Sequence, residues 1–194
     1  DLPLVLPGSV VYIQNDGGLE VAVAAEFNAT NRMTYSTVIN ATRKSTLRLT
    51  SPAAGFLKLA SPTPVTAWTV IEGATFQAVP LNGLQLSATM RRDTGFSLAN
   101  PWDEDLPVTF SVYVNGGAYV TSFSGTLVNR QTFTVTAGAL IREMVEDLDY
   151  VVVVHSIKPL ALGVASPSQR GGFESVPVAV SGPDRKSTRL NSSH

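Results

Sequence analysis

Residues 60–80 read ASPTPVTAWTVIEGATFQAVP, and residues 155–177 read HSIKPLALGVASPSQRGGFESVP. Both run Ser, two residues, Pro, an apolar stretch, a Gly-containing turn, then Phe, three residues, Pro. Ser61, Pro64, Phe76 and Pro80 thus correspond to Ser156, Pro159, Phe173 and Pro177. Working outward, STLRLT (45–50) matches QTFTVT (131–136). VVYIQND (10–16) matches GFSLANP (95–101), which sets Asn15 against Asn100. Four blocks matched in one order are the signature of a repeated unit. The match predicts two units, 1–82 and 83–180. The short join near Asn82 predicts a closely coupled pair rather than beads on a flexible linker.

Each unit is written in β text. In VTFSVYV (108–114), Val108, Phe110, Val112 and Val114 alternate with Thr109, Ser111 and Tyr113; LEVAVAAEF (19–27) alternates likewise. A period of two with one apolar side marks strands of antiparallel sheets with one wet face. NGG (115–117) and NDGG (15–18) supply the positive-φ residues of tight hairpins. The prolines at 64, 80, 159 and 177 suit strand starts and edges, where a missing N–H costs little. About seven strands per unit predict an all-β chain of two tandem antiparallel immunoglobulin-like β-sandwiches, without the disulfide hallmark. The one helical passage is ALIREMVEDLD (139–149). Leu140, Met144 and Leu148 recur every four residues, predicting one short helix near 139–148 that caps the second sandwich.

Composition narrows the function classes. The chain has 194 residues, 44% hydrophobic and 15% charged, which excludes disorder and suits two small domains. A formal net charge of −1 gives no electrostatic reason for nucleic acid or an anionic membrane. Cysteine is absent, which excludes disulfides and thiolate metal sites. The longest apolar run, 150–154, is far too short to cross a bilayer. The start lacks an initiator Met and any signal-like segment, so the natural amino terminus is expected upstream.

The tail DRKSTRLNSSH (184–194) breaks abruptly from the Val- and Ala-rich text before it. It resembles a translated sequencing-library adapter, codon for codon, and residues 181–194 are set aside from the fold as a disordered tail. Without Arg185, Lys186, Arg189 and Asp184 the remainder is more acidic than the whole.

Catalytic vocabulary is missing. A nucleophile needs an adjacent base, and the only histidine before the tail is His155, within a strand and with no Gly-x-Ser-x-Gly elbow to serve. Zinc would need several His or Cys ligands. Phosphate-cradling glycine loops are absent, and RGG at 170–172 is a single turn. These observations predict a protein that is not an enzyme and has no cofactor. Two weaker features are carried forward. NPWDEDLP (100–107) groups Asp103, Glu104 and Asp105, weak calcium candidates without the ligand alternation of an EF-hand; the bland alternative is a solvated turn guarding a sheet edge. Sugar stacking could use Trp68, Trp102, Tyr113 or Tyr119. Trp68 lies in apolar text and is expected in the core, leaving Trp102 as the ligand candidate. Two NAT sequons stand at Asn28 and Asn40.

The succession GFSLANP, an alternating strand, TFTVTAG, a Leu-rich helical stretch, VVVVHSIKPLALGV and GGFESVPV resembles a known kind of β-sandwich repeat. Such repeats occur in tandem in large, mostly uncharacterised exported proteins of environmental bacteria. The resemblance covers residues 94–180 closely and the first unit more loosely, since IQND stands there for LANP and the helical stretch is missing. A fainter similarity joins S-x-x-P-V (61–65) and AVPLNGL (78–84) to the amino-terminal domain of IgGFc-binding proteins. The resemblance implies a non-catalytic structural or adhesive module of an exported, surface-associated protein. It implies neighbouring repeats in the full-length chain and an unspecified protein or glycan partner. The alternative is a carbohydrate- or calcium-binding accessory region of a larger secreted hydrolase.

Overall fold

The computed structural model describes residues 2–15, 19–30, 34–41, 44–48, 53–71, 74–77, 84–169 and 171–181. Eight strands lie in the first half: β1 (Leu2–Val5), β2 (Val10–Gln14), β3 (Val21–Ala29), β4 (Thr34–Ala41), β5 (Lys44–Arg48), β6 (Gly55–Ala60), β7 (Thr66–Ile71) and β8 (Ala74–Gln77). The second half holds β9 (Gln85–Met90), β10 (Gly95–Ala99), β11 (Leu106–Val114), β12 (Tyr119–Leu127), β13 (Thr132–Thr136), α1 (Ala137–Leu140), β14 (Tyr150–Ser156), β15 (Ala161–Pro167), β16 (Phe173–Ser175) and β17 (Ala179–Ser181). Among the described residues all pairings are antiparallel and each joins strands of the same half. The architecture is all-β, as the alternation predicts, with eight and nine described strands where about seven each were expected.

The two halves share one strand order. The first has sheets β1-β6-β3-β4 and β5-β2-β7-β8. The second has β9-β14-β11-β12 and β13-β10-β15-β16, the same succession strand for strand, with β17 added beyond β9. The period-two pattern builds each core. Val21, Val23, Ala25 and Phe27 of β3 point inward with Val11, Ile13 and Leu57; Leu106, Val108, Phe110 and Val112 of β11 point inward with Phe96, Leu98 and Val152. Phe110 stacks on Phe123 at 4.9 Å and meets Phe96 at 6.4 Å, favourable ring geometries that fill the larger core.

Two expectations need correction. The helix is a single turn at Ala137–Leu140, and 141–149 runs as turns. The core takes only Ile141 and Met144 from the remainder, while Val145 and Leu148 are exposed. Asp147 adopts φ 62°, a left-handed conformation that cannot continue a helix, and Tyr150 Oη accepts the Val145 N–H at 2.9 Å. A stripe this short, whose preceding Thr136 makes no side-chain cap, does not repay helix nucleation. The second correction concerns the matched phenylalanines. Thr69 and Val164 are equivalent, both buried and paired to Val11 and Phe96 respectively. Phe76 lies opposite Thr69, whereas Phe173 lies opposite Pro167, so the two do not occupy the same place. The predicted join at 78–83 and the tail from 182 lie outside the described residues.

The halves pack on each other. On β10 and β15, residues 96–99 and 161–165 are buried on both faces. Their inner face feeds the core, and their outer face lies under the first half. Phe56, fully buried, clusters with Ala99 and Ala161, and Ile71 packs against Ala165. Thr132 Oγ1 donates to the Pro3 carbonyl at 3.2 Å, and Arg130 reaches Glu26 at 3.5 Å. Burying a Phe side chain contributes on the order of 1.5–3 kcal/mol, so Phe56 is the anchor of this junction.

Candidate functional site

The acidic turn after β10 is built on an asparagine. Asn100 is fully buried, and its Nδ2 donates to the carbonyls of Glu104 (2.8 Å), Leu127 (3.1 Å) and Val128 (3.3 Å), while its Oδ1 accepts the Trp102 N–H at 3.0 Å. Asn15 does the equivalent after β2, donating to Leu19 at 2.8 Å and Ala41 at 3.1 Å. A buried amide is tolerated where its donors and acceptor are satisfied, and here it ties the turn to the end of a neighbouring strand. The Asn15–Asn100 match in the sequence is therefore a corner clamp used twice.

Around this corner the indole N–H and the three carboxylates are each paired. The Trp102 indole N–H donates to the Pro159 carbonyl at 2.8 Å, and Lys158 Nζ stands 5.1 Å from the ring centroid, in cation–π range. Trp102 packs against the core from a half-buried position. Asp103 forms a close ion pair with Arg130, Glu104 forms one with Lys158, and Asp105 Oδ1 accepts the Asn129 N–H at 2.8 Å. The hydrogen bond from Arg130 holds the Asp103 carboxyl below its ordinary range, and the same bond, with Glu26 adding to it, raises the Arg130 guanidinium. The three carboxylates face three separate partners. Among the described residues no group of three or more His, Cys, Asp or Glu side chains is arranged to hold a metal ion. The corner acts as an electrostatic staple joining the turns after β10, β12 and β14, with Glu26 of the first half tied in through Arg130.

His155 is exposed on β14, between Thr109 of β11 and Gln85 of β9. The row it belongs to runs Ser124–Thr109–His155–Gln85–Ser181 across all five strands, and the Thr109 hydroxyl bonds Ser124 at 3.2 Å. That row contains no carboxylate to orient the imidazole. A hollow of about 620 Å³ lies beside α1, lined by Arg91, Arg92, Asp93, Thr136, Gly138 and Glu146 among others. Arg91 pairs with Asp149 at 2.8 Å and Arg92 with Glu146 at 3.8 Å, so its cations are compensated. Of the sequons, Asn28 is buried and bonded to Glu26 and Thr34, whereas Asn40 is exposed.

Sequence reasoning misplaced one aromatic residue. Trp68 is not in the core: it is half-buried on the outer face of β7, stacked on Tyr12 of β2 with centroids 5.6 Å apart and planes 16° from parallel. The apolar text of β7 hid this, because Ala67 and Thr69 are the inward residues of that strand. The period-two rule applied from Thr69 would have turned Trp68 outward. Tyr113 and Tyr119 meet edge to face at 5.9 Å on the β11–β12 hairpin.

No family model matches the chain, and no curated protein matches it. Among solved structures, the Anabaena sensory rhodopsin transducer is similar over 44% of this chain and 97% of its own length, with 20% identity and a TM-score of 0.37. At that score the likeness carries no argument.

Proposed function

We propose that the chain is a non-catalytic structural and adhesive module, a stiff pair of tandem β-sandwich repeats within an exported, surface-associated bacterial protein. The observation that carries this reading is the shared strand order of the two halves, joined through the buried junction at Phe56. The repeated asparagine clamps support common descent of the halves, since both tie the turn after the second strand to the end of the fourth. A fixed pair of sandwiches spans distance without bending, which suits a spacer that holds binding units away from a cell surface. Two measurements test it. Small-angle scattering of the chain is expected to fit one rigid particle, and freely reorienting halves would sink the spacer reading. The gene read from source DNA to both ends is expected to show further copies, a secretion signal and an anchor. A glycosidase or protease domain beside this segment would instead make it an accessory region.

A further inference from the structure

We propose that the edge of β12 pairs with the same edge of a second copy of this chain, antiparallel about Ser124, joining their two five-stranded sheets into one. This goes beyond the spacer reading and does not rest on it. β12 ends its sheet, with β11 as its ladder partner among the described residues. It is nine residues long, YVTSFSGTL, with neither charge nor proline. A bulge disturbs the Tyr119 end, but Thr121–Leu127 pairs regularly with β11. Sheet edges are ordinarily guarded by charge, proline or short length. Here β5 is written with Lys44 and Arg48, β16 carries Glu174, and β17 has only three residues.

The main-chain groups on that edge follow from the ladder. The Ser156 N–H donates to the Leu84 carbonyl at 3.0 Å, so Ser156 bonds toward β9. Val108, opposite Ser156, therefore bonds toward β12, and Gly125, opposite Val108, bonds back to it. Alternation then turns the N–H and C=O groups of Ser122, Ser124 and Thr126 outward from the sheet. A copy rotated about a two-fold axis at Ser124 sets Ser124 against itself and Ser122 against Thr126. Each such pair exchanges both of its N–H···O bonds, and the contact closes on itself.

The inward side chains fit the same register. Phe123 then stands opposite Gly125 of the copy, and Gly125 opposite the copy's Phe123. Gly125 lies in the inward row beside buried Val108, yet it is exposed, and a Cβ there would meet nothing within 4 Å. A ring on the facing strand covers such a gap at an edge glycine. Phe123 itself is half-buried at the end of a row of rings that runs through Phe110 and Phe96 to Phe133, which is 39% exposed on β13. The core is thus left open along its edges. In the first half the places of Phe123 and Gly125 are taken by Thr37 and Ile39, so the complementarity belongs to β12 and not to its counterpart β4.

Sedimentation equilibrium of the whole chain over a dilution series tests this. The mass is expected to rise with concentration toward that of two chains and to stop there. Ser124→Lys sets like charges against each other at the axis, and Thr126→Pro removes an N–H that one chain alone leaves unpaired. Each should weaken the dimer at least about fivefold. Val38→Lys puts the same charge at the matching place on β4 and should leave the mass unchanged. Ser124→Lys chains mixed with Ser124→Asp chains should recover the mass of two, which fixes the register. Should Thr126→Pro lose its melting transition, the exposed Ser124 variants decide. A mass of one chain at every concentration, growth past two, a dimer that survives Ser124→Lys or dissolves with Val38→Lys, or no recovery on mixing would overturn the proposal.

Discussion

On the outer side of β10 and β15 the chain presents Ser97, Ala99, Ala161 and Gly163, while the matching positions on β2 and β7 carry Tyr12, Gln14, Thr66 and Trp68. The inward positions of the same strands are apolar or buried in both halves: Val11, Ile13, Ala67 and Thr69 in one, Phe96, Leu98, Leu162 and Val164 in the other. A repeated fold constrains what faces its own core and leaves the outer face to whatever lies beyond it. Small residues let a neighbour's backbone approach and trade solvent for van der Waals contact. Tyr12 and Trp68 fill the matching positions with two large stacked rings. One strand order thus carries small residues at an internal junction in one copy and a half-buried ring pair in the other.

The comparison can be broken most forcefully at its anchor. Phe56→Ala should cost about 3–5 kcal/mol, because it empties a fully buried site between the halves. Calorimetry is expected to show the melting transition split in two, and an unsplit, unshifted transition would mean the junction is incidental. Grafting the first face onto the second is next: Gly163→Trp should overpack the junction at up to about 3 kcal/mol, with a larger radius of gyration by scattering. The reverse change, Trp68→Ala, should cost only about 1 kcal/mol for the lost ring pair, measured by urea denaturation with an unaltered m-value. An equal cost at both sites would erase the proposed difference between the faces.

The smallest effect concerns the corner staple. Arg130 lowers the Asp103 carboxyl in the folded state, so the pair stabilises the fold above the ordinary carboxylate pKa of ~3.9 and ceases to do so as pH falls through the depressed folded value. Both partners are substantially exposed, and exposed pairs contribute little. Asp103→Asn should flatten the acid limb of the stability profile slightly and leave stability near pH 7 almost as it was. An unchanged acid limb would remove Asp103 from the staple.

Much of this was legible in the sequence because it rests on local rules. The alternation of β3 and β11 gave their buried faces, and the Asn15–Asn100 match pointed at a feature whose hydrogen bonds then proved equivalent. The short helix is present but lies at Ala137–Leu140 rather than 139–148, because a four-residue period is satisfied equally by turns that bring only Ile141 and Met144 inward. The Phe76–Phe173 match failed because the longer β15–β16 turn shifts the register, which letter spacing does not report. The surroundings of Trp102 and Trp68 were not legible for a non-local reason. Whether a ring is covered depended on Lys158, Pro159 and Tyr12, residues 56 or 57 positions away along the chain.

The three-residue strand β17 has a mechanical meaning. It lies along β9, the counterpart of β1, whose strand packs against β10 and β15 of the second half. With β17 on that edge, β9 does not present the free side that β1 presents at the junction, so the second half does not repeat the first half's contact. Contacts of an edge with a face otherwise propagate without limit and polymerise molecules into fibres. A unit docking on the second half as the second half docks on the first would meet β17 beside β9.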